Sequence, residues 1–228
     1  GYQLREGFVQ TLTFSRDGST LAVTGLEPDP DPPGALVDLI TAPGGKRQAR
    51  FVLPDFPEPS DLVVAHVAFL PGGRDLVVQQ TSGFPDGPAS VLRRLNAATG
   101  AVEGRPLRVG RHSSFGLSST GDHRRLFVTS PRDDATWEID AQRLRVLRRF
   151  PVGDSMGAVS RDGRLFALGS EEGVVRVLDL GSGETRRLEG RHDSAVLRLA
   201  FPPHRGTLVS SSGGRDLNPR GVAGGGAR

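Results

Sequence analysis

The sequence predicts an all-β fold built from repeated four-stranded antiparallel units, on three observations. Of 228 residues, 31 are glycine and 17 proline, a composition that fits many turns and few long helices. A strand–turn–strand motif recurs along the chain, and its spacing settles at 42 residues, from Leu117 to Val159 to Phe201. A second anchor, the aliphatic end of a third strand, falls into the same register. Four-stranded propeller blades repeat about every 40–45 residues. The fold class is therefore a β-propeller of four-stranded antiparallel blades, about four blades plus part of a fifth, in an incomplete or open ring.

The template is residues 158–193, A-V-S-R-D-G-R-L-F-A-L-G-S-E-E-G-V-V-R-V-L-D-L-G-S-G-E-T-R-R-L-E-G-R-H-D. Strands are expected near 155–160, 164–169, 173–180 and 184–189. Leu165, Phe166, Ala167 and Leu168 form the apolar run of a strand covered on both faces, whereas Val175 and Val177 alternate with Arg176. Asp162-Gly163, like Asp17-Gly18 in the first unit, suits a tight turn, because glycine accepts a positive φ and aspartate bonds the turn backbone.

In chain order the turn reads F-S-R-D-G (14–18), F-L-P-G-G (69–73), L-S-S-T-G (117–121), V-S-R-D-G (159–163) and, more weakly, F-P-P-H-R-G (201–206). The third-strand anchor aligns Leu39, Leu95, Ile139 and Leu178, followed by Ile40, Asn96, Asp140 and Asp179. These anchors divide a propeller segment, 1–212, into units of about 8–53, 62–108, 112–150, 155–189 and a partial 194–212. Residues 213–228 read as a disordered Gly/Arg-rich tail. Pro-rich insertions at 26–34 and 81–88 lengthen the first two units at one equivalent place, and so should emerge on one face. The pattern stops inside the fifth unit and the chain opens on Gly1, so a truncated or frame-shifted fragment is expected, its open flanks inviting self-association.

Composition narrows the function. There is no cysteine, which removes disulfides, thiolate metal sites and thiol nucleophiles. The net charge is +3 and the pI about 10.4; Lys46 is the one lysine among the basic residues, so the pI reflects arginine content rather than a nucleic-acid signal. Arg93, Arg94, Arg186 and Arg187 are expected on corresponding outer strands, as charge protecting a solvated edge. No apolar run reaches the roughly 18–20 residues of a membrane helix and no signal peptide opens the chain, so no membrane partner and a cytoplasmic location are expected. The five histidines show no zinc spacing, and no G-x-S-x-G, H-E-x-x-H or phosphate loop is present. The reading is accordingly non-enzymatic, with no catalytic, cofactor-binding or metal residue.

The stretch V-S-R-D-G-R-L-F-A-L-G-S-E-E-G-V-V-R-V-L-D-L-G-S-G-E-T-R-R-L-E-G-R-H (159–192) resembles a blade of the WD-repeat β-propeller family, of a divergent bacterial type. The likeness covers roughly 8–212 as a partial array. The family's tryptophan before the blade-ending Asp179 is Leu178 here. The family's buried hydrogen-bonded set would draw on His192 and Ser170, but its Asp position holds Glu172. Its Gly-His pair carries an inserted arginine, as G-R-H, at 110–112 and 190–192. The resemblance implies a protein–protein interaction scaffold within a larger bacterial regulatory or signalling protein. It would act on protein partners, other domains of the same full-length chain among them, without cofactor or nucleic acid.

Two residue sets follow. Asp17, Gly18, Asp162, Gly163, Leu178, Asp179 and His192 are expected to be structural blade positions. Glu27, Asp29, Asp31, Asp86, Arg132, Asp133 and Glu171 lie in loops that share one face, a candidate partner-binding rim whose first two units should favour a basic segment. Two other readings stay open: a ligand-sensing or enzymatic propeller using its central channel, which converging His or acidic residues on the innermost strands would favour, and a truncated remnant without function.

Overall fold

Short polar side chains at the turns set the hairpins. The computed structural model describes residues 8–27, 34–53, 63–82, 87–202 and 207–213. The Ser15 hydroxyl donates to Asp17 Oδ1 (2.6 Å) and accepts the Thr20 N–H (2.9 Å), while Gly18 takes φ 71°. Ser160, Asp162 and Gly163 repeat the arrangement, with a 2.7 Å bond and φ 68°. In the third unit the same roles fall to Thr120, Asp122 and His123, with a 2.6 Å bond and φ 59°. The L-S-S-T-G alignment is thereby corrected by two residues: Ser119, not Leu117, matches Phe14. A histidine holds the left-handed position that glycine marks elsewhere, so the turn signature was hidden.

These turns join strands β1 (Phe8–Phe14), β2 (Thr20–Glu27), β3 (Gly34–Thr41), β4 (Arg47–Val52), β5 (Val63–Phe69), β6 (Asp75–Ser82), β7 (Pro88–Asn96), β8 (Val102–His112), β9 (Phe115–Ser119), β10 (Arg125–Ser130), β11 (Ala135–Asp140), β12 (Arg145–Phe150), β13 (Met156–Val159), β14 (Leu165–Gly169), β15 (Val175–Asp179), β16 (Thr185–Arg187), β17 (Val196–Ala200) and β18 (Val209–Ser212). They form four sheets of four strands in sequential order and a β17–β18 hairpin, with every pairing antiparallel. Among the described residues no helix is long and apolar enough to cross a membrane.

The turn after each third strand fixes a second register. Asp179 Oδ1 accepts the Gly181 and Ser182 N–H groups, and Asn96 Oδ1 those of Ala98 and Thr99. Asp140 Oδ1 accepts Arg143 N–H, and the Thr41 hydroxyl accepts Lys46 N–H. The equivalent core residues are Ile40, Leu95, Ile139 and Leu178, all buried. The first-unit alignment on Leu39 is thus one residue early, because the Gly44-Gly45 pair offered two glycines and Gly45 carries the positive φ.

The first strands of successive sheets lie side by side, β1 against β5, β5 against β9, β9 against β13 and β13 against β17. Apolar layers fill the spaces between sheets. Ala22, Val37 and Leu39 meet Ala65, Val67, Phe69 and Val78; Leu92 and Val77 meet Leu126, Val128 and Trp137; Phe127 meets Phe166 and Leu168, with the Phe127 and Phe166 ring centroids 5.4 Å apart. Each fully buried Leu or Phe contributes about 1.5–3 kcal/mol, so these layers are the main adhesive between sheets. Val9, Leu12 and Phe14 on the first sheet and Leu197 and Val209 on the last hairpin are exposed.

A polar tether accompanies each layer. The fifth residue of the second strand is Thr24, Gln79 or Thr129, each wholly buried and each bonded to the start of the next unit. Thr24 Oγ1 donates to the Ala65 carbonyl (2.7 Å), Gln79 Nε2 to the Ser114 carbonyl (2.7 Å), and Thr129 Oγ1 accepts the Asp154 N–H (3.0 Å). In the fourth unit the position is Gly169, and a Cβ there would collide with the Val196 side chain; direct packing replaces the bond. The placement of Arg93 and Arg94 is also corrected. They lie on the third strand β7, and Arg93 is buried against Gln80, whereas Arg186 and Arg187 do lie on the exposed outer strand β16.

Candidate functional site

The loops that join second to third strands meet the connections between sheets at one rim. In the third unit Asp133 sits in the β10–β11 turn and accepts three hydrogen bonds from the end of the preceding sheet. Its Oδ2 takes the Arg111 and His112 N–H groups (3.0 and 3.1 Å), and its Oδ1 lies 3.2 Å from His112 Nδ1. Burial by itself raises this carboxyl, but the bonds from His112 and Arg111 outweigh it and hold it below the ordinary range. Asp133 is therefore an internal strut that ties loop to connection.

Asp134, at φ 41°, accepts the Gly153 N–H (3.2 Å) and helps to place Asp154. The Asp154 carboxylate is buried and receives Arg176 Nε and Nη2 at 3.1 and 2.7 Å. Burial pushes its carboxyl above the ordinary value; Arg176 opposes this, while Glu172 and Asp134 reinforce it. Beside it the Ser155 hydroxyl donates to Glu171 Oε1 (3.1 Å). Pro131, Arg132, Asp154, Ser155, Glu171 and Glu172 line a cleft of about 270 Å³ between the third and fourth sheets. With Asp154 already paired to Arg176, the exposed Glu171 and Glu172 face one lining arginine, Arg132, and leave the cleft mildly acidic. Its volume falls below the roughly 300–1,000 Å³ of small-molecule sites and suits a single inserted side chain.

The structure thus brings Arg132 and Glu171 together and sets Asp133 beside them as a support. Asp29, Asp31 and Asp86 lie outside the described residues, as does the tail at 214–228; Glu27 ends β2, with its side chain outside them. Asp17, Gly18, Asp162, Gly163 and Asp179 occupy turns at the opposite ends of the strands, and Leu178 is in the core. His192 Nε2 bonds Ser210 Oγ on β18 (2.7 Å) rather than Ser170, so its partner belongs to the following unit. Sequence reasoning missed Asp154, which has no repeated counterpart, and Arg176, which aligns with Arg93 but has a different partner. The tethers Thr24, Gln79 and Thr129 carried a usable signal, a polar residue closing an apolar run at the same place in three units.

No protein-family model matches the chain, and no curated protein matches it. Among solved structures it is similar to a chain in the crystal structure of the mitotic checkpoint complex, with TM-score 0.66 and 18% identity, over 90% of this chain. The chain spans 57% of the length of the chain it matches, and at that identity the likeness shows the fold alone. The fold is a β-propeller. Its blades are the four-stranded sheets, their first strands innermost, and the acidic cleft lies at the rim between the third and fourth blades. Some of the propeller's arginines are paired within it: Arg50 with Asp38, Arg94 with Asp75, Arg125 and Arg148 with the single carboxylate of Glu138, and Arg143 with Asp140. Among the described residues no three His, Asp or Glu side chains converge as metal ligands.

Proposed function

We propose that the chain is a non-enzymatic protein–protein interaction scaffold, a divergent bacterial WD-repeat propeller portion of a larger cytoplasmic regulatory or signalling protein. The observation that carries this reading is the rim cleft. It is side-chain-sized and carries the exposed carboxylates Glu171 and Glu172, beside Asp154 held by Arg176 and next to a turn that Asp133 and Asp134 fix with hydrogen bonds. Glu171, held by the Ser155 hydroxyl, and Glu172 can pair with an arginine or lysine side chain. A protein segment bearing an exposed basic side chain is the partner class that fits. The similar chain from the mitotic checkpoint complex is itself part of a protein assembly, which accords with a scaffold role. The test is affinity purification with wild-type and Glu171→Lys/Glu172→Lys chains at matched folding: a partner set lost in the variant supports the reading, and an unchanged set refutes it.

A further inference from the structure

The innermost strands β1, β5, β9, β13 and β17 together line one cavity of about 590 Å³, within the size range of small-molecule sites. Of its lining residues only His66 on β5 and Arg198 on β17 can carry a charge. His66 Nε2 is sealed from solvent with no hydrogen-bond partner, as is Ser118 Oγ on β9. Burial first, and the charge of Arg198 second, pull the imidazole down to about 4, so it is neutral at pH 7. A buried N–H without an acceptor is rarer than a bare lone pair, so the ring proton belongs on Nδ1, the nitrogen that is not sealed off. Arg198 is exposed, and its one hydrogen bond, Nη1 to the neighbouring Leu197 carbonyl (2.7 Å), leaves it without a carboxylate among the described residues.

An uncompensated guanidinium and an imidazole N–H thus share a cavity otherwise lined by uncharged side chains, apolar such as Val67, Leu117 and Met156 and polar such as Thr11, Thr13 and Ser119. This is chemistry for an anion: arginine presents a planar fork to oxygen pairs, the lining hydroxyls can donate further hydrogen bonds, and no lining carboxylate opposes an anion. We propose that the channel binds a small oxyanion, a phosphate or a carboxylate, ion-paired to Arg198 and accepting a hydrogen bond from His66. The site is separate from the rim cleft and does not depend on it.

The test follows the His66 imidazole resonances of the full chain by NMR as inorganic phosphate or acetate is added, with chloride at equal ionic strength as control. Phosphate or acetate should shift them saturably and raise the His66 pKa by about one unit or more, because an anion holds the imidazolium roughly tenfold tighter. Phosphate acting at lower concentration than acetate assigns the natural ligand to phosphate, and the reverse order to a carboxylate. Arg198→Gln should abolish the response while raising the unliganded pKa, and Arg198→Lys should retain a weakened one. A response equal to that of chloride, or one surviving in Arg198→Gln, overturns the proposal. Should Arg198→Gln not fold, the wild-type titration decides alone, since absence of a saturable shift refutes the site. Glu171→Lys must leave the channel response unchanged, which keeps failure of this site distinct from failure of the rim.

Discussion

Thr129 is the residue whose removal tests blade stacking and the rim cleft together. Thr129→Val keeps shape and volume but deletes the oxygen that accepts the Asp154 N–H at 3.0 Å. Thr136 loses little, since its hydroxyl still donates to the Val152 carbonyl at 2.7 Å. The main damage is one buried N–H left without an acceptor, at about 1–3 kcal/mol, beside the loss of the long 3.4 Å bond from Thr129 Oγ1 to the Ala135 carbonyl. The added methyl returns less than about 1 kcal/mol, leaving a net loss of about 1–2 kcal/mol. With a urea m-value of about 2 kcal/mol/M, the midpoint should fall by roughly 0.5–1 M at unchanged slope. Thr185→Val on the exposed strand β16 is the control and should stay within about 0.5 kcal/mol of wild type. If Thr129→Val denatures no earlier than that control, the tether contributes nothing and the account of blade-to-blade bonding is wrong.

Other outcomes follow from the same geometry. Gly153→Ala places a Cβ against the Ser130 carbonyl and the Ala135 backbone, neither of which can yield like a side chain, so a loss of about 1–3 kcal/mol should appear as a lower melting temperature. Asp17, pulled from 3.8 to about 2 by bonds from Ser15 and Ser19, adds stability that is complete above its unfolded value and is lost as pH falls through about 2. Ser15→Ala should return its carbon-detected NMR titration toward 3.8, and an unmoved titration would exclude the turn bonds as the cause. Asp154 has the opposite sign: burial raises its carboxyl, so its ionised form costs stability, and stability rises as pH falls through its folded pKa toward the unfolded value. Arg176→Gln should push that carboxyl higher still, and a downward shift would contradict the pairing.

The repeats were legible where local chemistry repeated. Asp17-Gly18 and Asp162-Gly163 announced their turns because only a few residue types make that bend. The third turn escaped because His123 adopts the left-handed conformation without advertising it, and the first third-strand turn slipped by one because two adjacent glycines competed for one role. Arg93 and Arg94 looked like outer-strand charges because a one-dimensional pattern cannot show that β8 and the neighbouring blades cover β7. Arg132, Asp133 and Glu171 could be assigned to one rim from loop position alone. Their division of labour could not: Asp133 becomes a strut only through His112 and Arg111, and Asp154 depends on Arg176 across 22 residues of chain. The first contact arises from blade stacking, which no single unit encodes, and the second joins the entry of the fourth sheet to its third strand.

The most direct test of the scaffold reading is a backbone NMR titration of the chain with an arginine-containing peptide, with a glutamate-containing peptide of equal length as reference. Saturable shifts centred on Arg132, Ser155, Glu171 and Glu172, weakened by salt and lost in Glu171→Lys/Glu172→Lys, are the predicted result. Equal response to both peptides, or shifts that leave those amides unmoved, would contradict it.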